Sequence, residues 1–191
     1  MKNIVLFASG SGSNAENIIR YFAKSEQIRV VAVFCNNPNA MVLEKARNLN
    51  VATVVFNRDA LHSESVLHQL QAFQPDLIVL AGFLLQFPKS IIAAYPNQII
   101  NIHPALLPKY GGKGMYGRHV HQAVLDNNET ETGITIHYVD EHYDEGDVIF
   151  QKGVPIGHCT SAEAIAQEIH LLEQKHFPQV IEQILSRSFG T

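Results

Sequence analysis

Asn101 and His103 stand two residues apart in the run Gln98-Ile99-Ile100-Asn101-Ile102-His103-Pro104. In an extended strand, residues i and i+2 share a face, so this amide and this imidazole are expected to project together. An amide N–H beside an imidazole makes a clamp for a developing oxyanion. A plain strand end, with both side chains satisfying loop backbone, fits the spacing equally well. A carboxylate to partner the imidazole can come from Asp140-Glu141-His142-Tyr143-Asp144-Glu145-Gly146-Asp147, which holds five acids in eight residues. Composition does not choose among Asp140, Asp144 and Asp147, and taken alone it reads better as a solvated acidic loop.

A second constellation lies near the start. Gly10-Ser11-Gly12-Ser13-Asn14-Ala15 follows an apolar run and precedes a helical pattern. Glycines there allow a tight turn and close approach of backbone to a ligand, and the opening of a helix favours a phosphate. The spacing also matches G-x-G-x-x-A, a dinucleotide fingerprint. That fingerprint needs an acid about 20 residues further on to hold a ribose; Cys35-Asn36-Asn37 stands there instead. A monophosphate is therefore the better ligand, with a ligand-free turn as the competing reading.

The ten histidines do not read as a metal site. His119-x-His121 and His137 with His142 are the close sets, neither has a cysteine or an H-E-x-x-H spacing, and residues i and i+2 of a helix diverge. No G-x-S-x-G elbow is present.

The elements that must position these groups alternate. Ile4–Ala8 is a continuous apolar run, the signature of a strand buried on both faces. Helix is expected over 15–24, strand over 29–35, helix over 41–49, strand over 51–56, helix over 63–73 and strand over 76–83. A short helix at 88–95, with Pro88 in its first turn, and a strand at 98–103 complete the series. Such βα alternation predicts an open, doubly wound, mostly parallel α/β sheet of Rossmann-like type. Beyond a helix at 119–125, strands at 132–139 and 148–154 have no helix between them, so an antiparallel pair is expected in the C-terminal half. Thr160 with Glu163 reads as a capping box opening a final helix that Pro178 should kink or split.

The chain of 191 residues is 46% hydrophobic, with a net charge of −4. That suits one domain over 1–191 and disfavours a nucleic-acid partner. No apolar stretch at the N-terminus is long enough for a signal core or a membrane span. Cys35 and Cys159 are expected as reduced thiols in a cytoplasmic protein. Partners are confined to small molecules, for a monomer or a homodimer.

Asn101-Ile102-His103-Pro104-Ala105-Leu106-Leu107-Pro108 resembles the N-I-H-P-S-L-L-P signature of the folate-dependent formyltransferases. Gly10–Asn14, Leu80-Ala81-Gly82-Phe83 and Asp144-x-Gly146 resemble the members acting on a phosphorylated glycinamide ribonucleotide. The resemblance covers nearly the whole chain. It implies transfer of a formyl group from 10-formyltetrahydrofolate, as co-substrate and without a metal, to the glycinamide amine in purine biosynthesis. It implies catalytic roles for Asn101, His103 and Asp144, with Asp144 favouring a protonated His103. Gly10, Ser11, Gly12, Ser13 and Asn14 would cradle the phosphate; Pro104 and Glu173 would touch the glycinamide and ribose. Leu84, Leu85 and Phe87, with Val139, Asp140 and Glu141, would line the folate pocket.

Three positions depart from the family pattern. Leu84-Leu85-Gln86 stands where an arginine is common, Ala105 replaces serine, and Gly111–Gly117 is longer and richer in glycine, which reads as a lid or as a surface loop. Relatives with an additional tRNA-binding or regulatory domain fit poorly to this length and charge. A formyltetrahydrofolate hydrolase, or another folate-dependent formyltransferase, is the alternative.

Overall fold

The computed structural model describes residues 1–187. In chain order its elements are β1 (Lys2–Ala8), α1 (Ser13–Phe22), β2 (Ile28–Cys35), α2 (Met41–Asn48), β3 (Ala52–Val55), α3 (Arg58–His62) and α4 (Glu64–Ala72). There follow β4 (Leu77–Leu80), α5 (Lys89–Ala94), β5 (Ile99–His103), α6 (Arg118–Asp126), β6 (Glu131–Tyr138), β7 (Val148–Pro155) and α7 (Ala162–Arg187). The strands form a seven-stranded sheet in the order β3-β2-β1-β4-β5-β6-β7. Pairs β1–β2, β1–β4 and β2–β3 are parallel and β6–β7 is antiparallel. This is the mostly parallel α/β sheet, antiparallel late in the chain, that the alternation predicts.

The chain divides into two compact units, Met1–Ile100 with the described residues from Pro178 onward, and Asn101–Phe177. In the first unit Ile4, Val5, Leu6 and Phe7 are fully buried, as a strand with neighbours on both edges and cover on both faces must be. Phe7 stacks on Phe34 with ring centroids 4.9 Å apart, and meets Phe83 and Phe87 edge-on at 5.4 and 5.0 Å. Such pairs add about 0.5–1.5 kcal/mol each beyond burial.

In the second unit β6 and β7 pair from Glu131↔Pro155 through Ile136↔Phe150, and then His137 pairs with Val148. The skipped residue makes a bulge opposite His137, a device that re-aims side chains beside functional sites.

Local chemistry moved several boundaries. β4 stops at Leu80 rather than Phe83, because the chain turns at Gly82, whose φ is 78°. The short α3 is additional, started by the Asn57 side chain accepting the Ala60 N–H at 2.8 Å. Pro88 is the cap of α5 rather than its first residue. The cap of α7 is Ser161, whose Oγ accepts from the Ala164 N–H at 3.2 Å, and not Thr160. Pro178 does not split α7, which continues to Arg187. The missing N–H is offset by burial on either side, where Phe177, Val180 and Ile181 are at most 3% exposed. Among the described residues no helix is long and apolar enough to cross a membrane, and both cysteines are free.

Candidate functional site

The second unit gathers its polar side chains at the end of β5. Asn101 and His103 lie two apart on that strand, and β6 brings His137 beside them. The Asn101 Nδ2 sits 3.2 Å from His137 Nε2. Asp144 stands between the two imidazoles, Oδ2 at 3.5 Å from His103 Nδ1 and Oδ1 at 3.5 Å from His137 Nε2. Both histidines are almost fully buried, 3% and 2% exposed.

The three candidate acids part company here. Asp140 accepts the His142 N–H at 2.8 Å in a local turn. Asp147 is exposed, its carbonyl receiving the Tyr138 N–H. Asp144 alone turns inward, on a left-handed backbone with φ 57°. Its Oδ2 also accepts the Gly112 N–H at 3.0 Å.

Hydrogen-bond roles fix the resting tautomers. A carbonyl only accepts, so the 2.7 Å contact from His103 Nε2 to the Tyr110 oxygen puts a proton on Nε2. Nδ1, the nitrogen facing Asp144, then holds the lone pair in the neutral ring. His137 Nδ1 likewise donates to the Tyr138 carbonyl at 2.8 Å; in the neutral ring Nε2 accepts from Asn101, and in the charged ring it donates to Asp144 Oδ1. The amide of Asn101 has two N–H donors, so one remains for a ligand.

Burial is the largest influence on His103 and holds its pKa below the ordinary imidazole value; Asp144 and the Tyr110 carbonyl pull upward, and a charge on His137 pushes down. Asp144 does favour the protonated ring, as expected, but desolvation of the ring outweighs the carboxylate. Burial pushes Asp144 upward, but the His137 bond, the charge of His103 and the Gly112 N–H together hold it below the usual carboxylate value. The resting pair is thus a carboxylate beside a neutral imidazole.

His121 on α6 is 7% exposed, and its Nδ1 is buried without a hydrogen-bond partner. Burial first, then the charge of His103, lowers its pKa. His119 is exposed. Among the described residues no group of three His, Cys, Asp or Glu side chains is placed to hold a metal. Pro104 and Glu173 are half-buried in this unit, as are Val139 and Asp140, while Glu141 is exposed.

The glycine turn belongs to the first unit. Gly12 caps α1 in the left-handed region, φ 69°, with no side chain to occupy the first-turn N–H groups. A Cβ at Gly12 would collide with the Val42 side chain of α2, and the Gly10 carbonyl accepts the Val42 N–H at 3.2 Å. Gly10 and Ser11 are exposed, Ser13 is half-buried and Asn14 is buried. Where a dinucleotide site would place its acid, Asn36 Oδ1 accepts the Ser9 hydroxyl at 2.6 Å. Leu84 is exposed and Leu85 half-buried. Phe87, expected at a folate pocket, has its ring packed in the aromatic core and is 6% exposed.

Sequence reading assigned His137 no role outside a metal check, and it passed over the backbone contacts of Tyr110 and Gly112. Thr135 and His137 are polar residues two apart on one face of β6, interleaved with the apolar Ile134 and Ile136, which is the signal that could have found them.

The formyl transferase family pattern matches residues 2–181. The chain is 36% identical over 191 residues to phosphoribosylglycinamide formyltransferase of Bacillus subtilis, spanning 97% of this chain and 95% of that one. The Escherichia coli protein of the same name is 35% identical, spanning 94% and 85%. The crystal structure of phosphoribosylglycinamide formyltransferase from Bacillus halodurans superposes with a TM-score of 0.87 at 32% identity, covering 98% and 97%. With that agreement in sequence and fold, the chain belongs to the formyl transferase family, among its phosphoribosylglycinamide formyltransferases.

Proposed function

We propose that Asn101, His103 and Asp144 carry out formyl transfer from 10-formyltetrahydrofolate to the amine of 5'-phosphoribosylglycinamide in this chain. The observation that carries this reading is Asp144, drawn in between two buried imidazoles with Asn101 one contact away. Attack of the amine on the formyl carbon creates a tetrahedral oxyanion. The second N–H of Asn101 is its donor, an interaction whose loss typically costs about 10²–10³ in rate. Neutral His103 takes up the proton shed by the amine at Nδ1, directly or through water. Asp144 stabilises the imidazolium that forms, and the proton then passes to the departing folate nitrogen.

The turn from Gly10 to Asn14 is read as the phosphate cradle, Pro104 and Glu173 as contacts to the ribonucleotide, and Leu84, Leu85 and residues 139–141 as folate contacts. Phe87 contributes to that pocket through backbone or by supporting its wall, since its ring is committed to the core. The family pattern runs through both compact units, which supports one formyltransferase domain working as a whole. The setting is read as cytoplasmic, where Cys35 and Cys159 stay reduced.

The test is a spectroscopic assay for loss of 10-formyltetrahydrofolate, run with and without the ribonucleotide. Turnover should require the ribonucleotide, and His103→Ala should lower it by about 10²–10⁴ with an unchanged circular dichroism spectrum. Turnover that ignored the ribonucleotide would instead mark a hydrolase.

A further inference from the structure

We propose that Thr135, braced by Gln151, is a positioning residue that fixes the chain just beyond His103; as a statement about rate this rests on the function proposed above. Thr135 lies on β6 two residues before His137, and so on the same face. It is fully buried. Its hydroxyl donates to the Ala105 carbonyl at 2.7 Å and accepts the Leu107 N–H at 3.0 Å. Gln151, directly opposite on β7, donates from Nε2 to Thr135 Oγ1 and to the Leu107 carbonyl, both at 2.9 Å. One hydroxyl thereby uses its proton and both lone pairs.

These contacts replace ladder hydrogen bonds for a segment that has left β5. The N–H and carbonyl of Leu107 and the carbonyl of Ala105 find partners on one cross-strand pair of side chains. The segment so held leads straight to the groups that touch the site. Three residues after Leu107, the Tyr110 carbonyl meets His103 Nε2 at 2.7 Å. A Cβ on Gly111 would lie 2.6 Å from Leu107 Cδ2, so that glycine is seated against the clamped residue. Gly112 then reaches Asp144. Displacing residues 105–107 therefore displaces an acceptor on the imidazole and a donor on the carboxylate together. Thr135 touches no reacting atom in this account; it acts through His103 and Asp144.

The experiment compares Thr135→Val, which keeps the shape and removes the hydroxyl, with Thr135→Ser, which keeps the hydroxyl. Steady-state kinetics give kcat and KM for each substrate, and ¹H–¹⁵N NMR gives the solvent-exchange rate of the His103 Nε2 proton. Thr135→Val should lower kcat about 10–100-fold through misplacement of the reacting groups, leave KM for the ribonucleotide little changed, and speed exchange of that proton. Thr135→Ser should restore all three. The proposal is overturned if Thr135→Val keeps the wild-type kcat and exchange rate, or if Thr135→Ser is as impaired as Thr135→Val. Should Thr135→Val not fold, Gln151→Leu at an exposed position removes two of the four hydrogen bonds. It must then show the same pattern in milder form, and wild-type behaviour would overturn the proposal. The exchange measurement decides the clamp even if the wild-type protein transfers no formyl group, so the two readings fail separately.

Discussion

Asp144→Asn isolates the charge of the site from its shape. Asparagine tolerates the left-handed backbone at φ 57° better than other residues that have a Cβ, and its amide oxygen can still accept the Gly112 N–H. What disappears is the carboxylate 3.5 Å from each imidazole. At that separation and an effective dielectric of about 20, an imidazolium–carboxylate pair is worth at most about 5 kcal/mol. If the transition state carries the imidazolium, the ceiling on the loss is between about 10³ and 10⁴ in kcat/KM, at about 1.4 kcal/mol per tenfold. Asp144 keeps 11% of its side chain exposed, so solvent screening should bring the loss to about 10²–10³. The direction of the pH effect follows from the same contact. Burial lowers the pKa of His103 and Asp144 opposes it; without the carboxylate the imidazole should titrate at still lower pH. The assay is the folate absorbance change across a pH series, with His103 titrated by NMR in parallel. A variant within a few-fold of wild type, or an imidazole titrating at higher pH, would refute the reasoning.

Gly12→Ala meets both a left-handed φ and the Val42 side chain, and should cost about 2–5 kcal/mol in urea unfolding, the sum of the backbone and overpacking penalties; Val42→Ala in the same chain should recover part of it. Folded-state pKa values of His103 and His121 lie below the ordinary 6.5, so their contribution to stability is full above that pH and falls away on acidification. Asp144, lowered from 3.8, adds a further loss in stronger acid. Urea midpoints should therefore drop between neutral pH and about pH 5, and His121→Phe should flatten part of the drop. Gly146→Ala would press its Cβ onto the Tyr138 carbonyl, so it should reduce activity by moving the loop that carries Asp144, an effect read in the same folate assay.

The alternation of strand and helix was legible because a strand buried on both faces leaves an uninterrupted apolar run, as Ile4–Ala8 does, with every member at most 1% exposed. The pairing of Asn101 with His103 was legible from the two-residue period alone. The identity of the acid was legible only through the family resemblance, and not from composition. It depends on one left-handed residue and on a backbone N–H from Gly112, 32 positions away, and neither leaves a trace in composition. His137 was hidden for a related reason, since its partners are a backbone carbonyl and two side chains from other elements. Phe87 is a different case. The family resemblance placed it at the folate pocket, and its ring completes an aromatic cluster assembled from strands and loops distant in sequence, which the sequence pattern did not reveal. The state of charge of His103 could not be read either, because the decisive influence is loss of water around the ring, which only the folded chain produces.

The contact between Ser9 and Asn36 bears on redesign. An engineer wishing to convert this chain to nicotinamide chemistry would begin by placing an acid at 36, where ribose-binding folds carry one. Here Asn36 Oδ1 already accepts the Ser9 hydroxyl at 2.6 Å, and the Ser9 Oγ in turn accepts the Leu84 N–H at 3.0 Å. Diverting residue 36 to a ribose would release Ser9, and with it the brace on the stretch that follows Gly82. The vacancy that a bare motif search advertises is thus already let to another tenant, and new cofactor specificity would require rebuilding the neighbouring loop along with the single side chain.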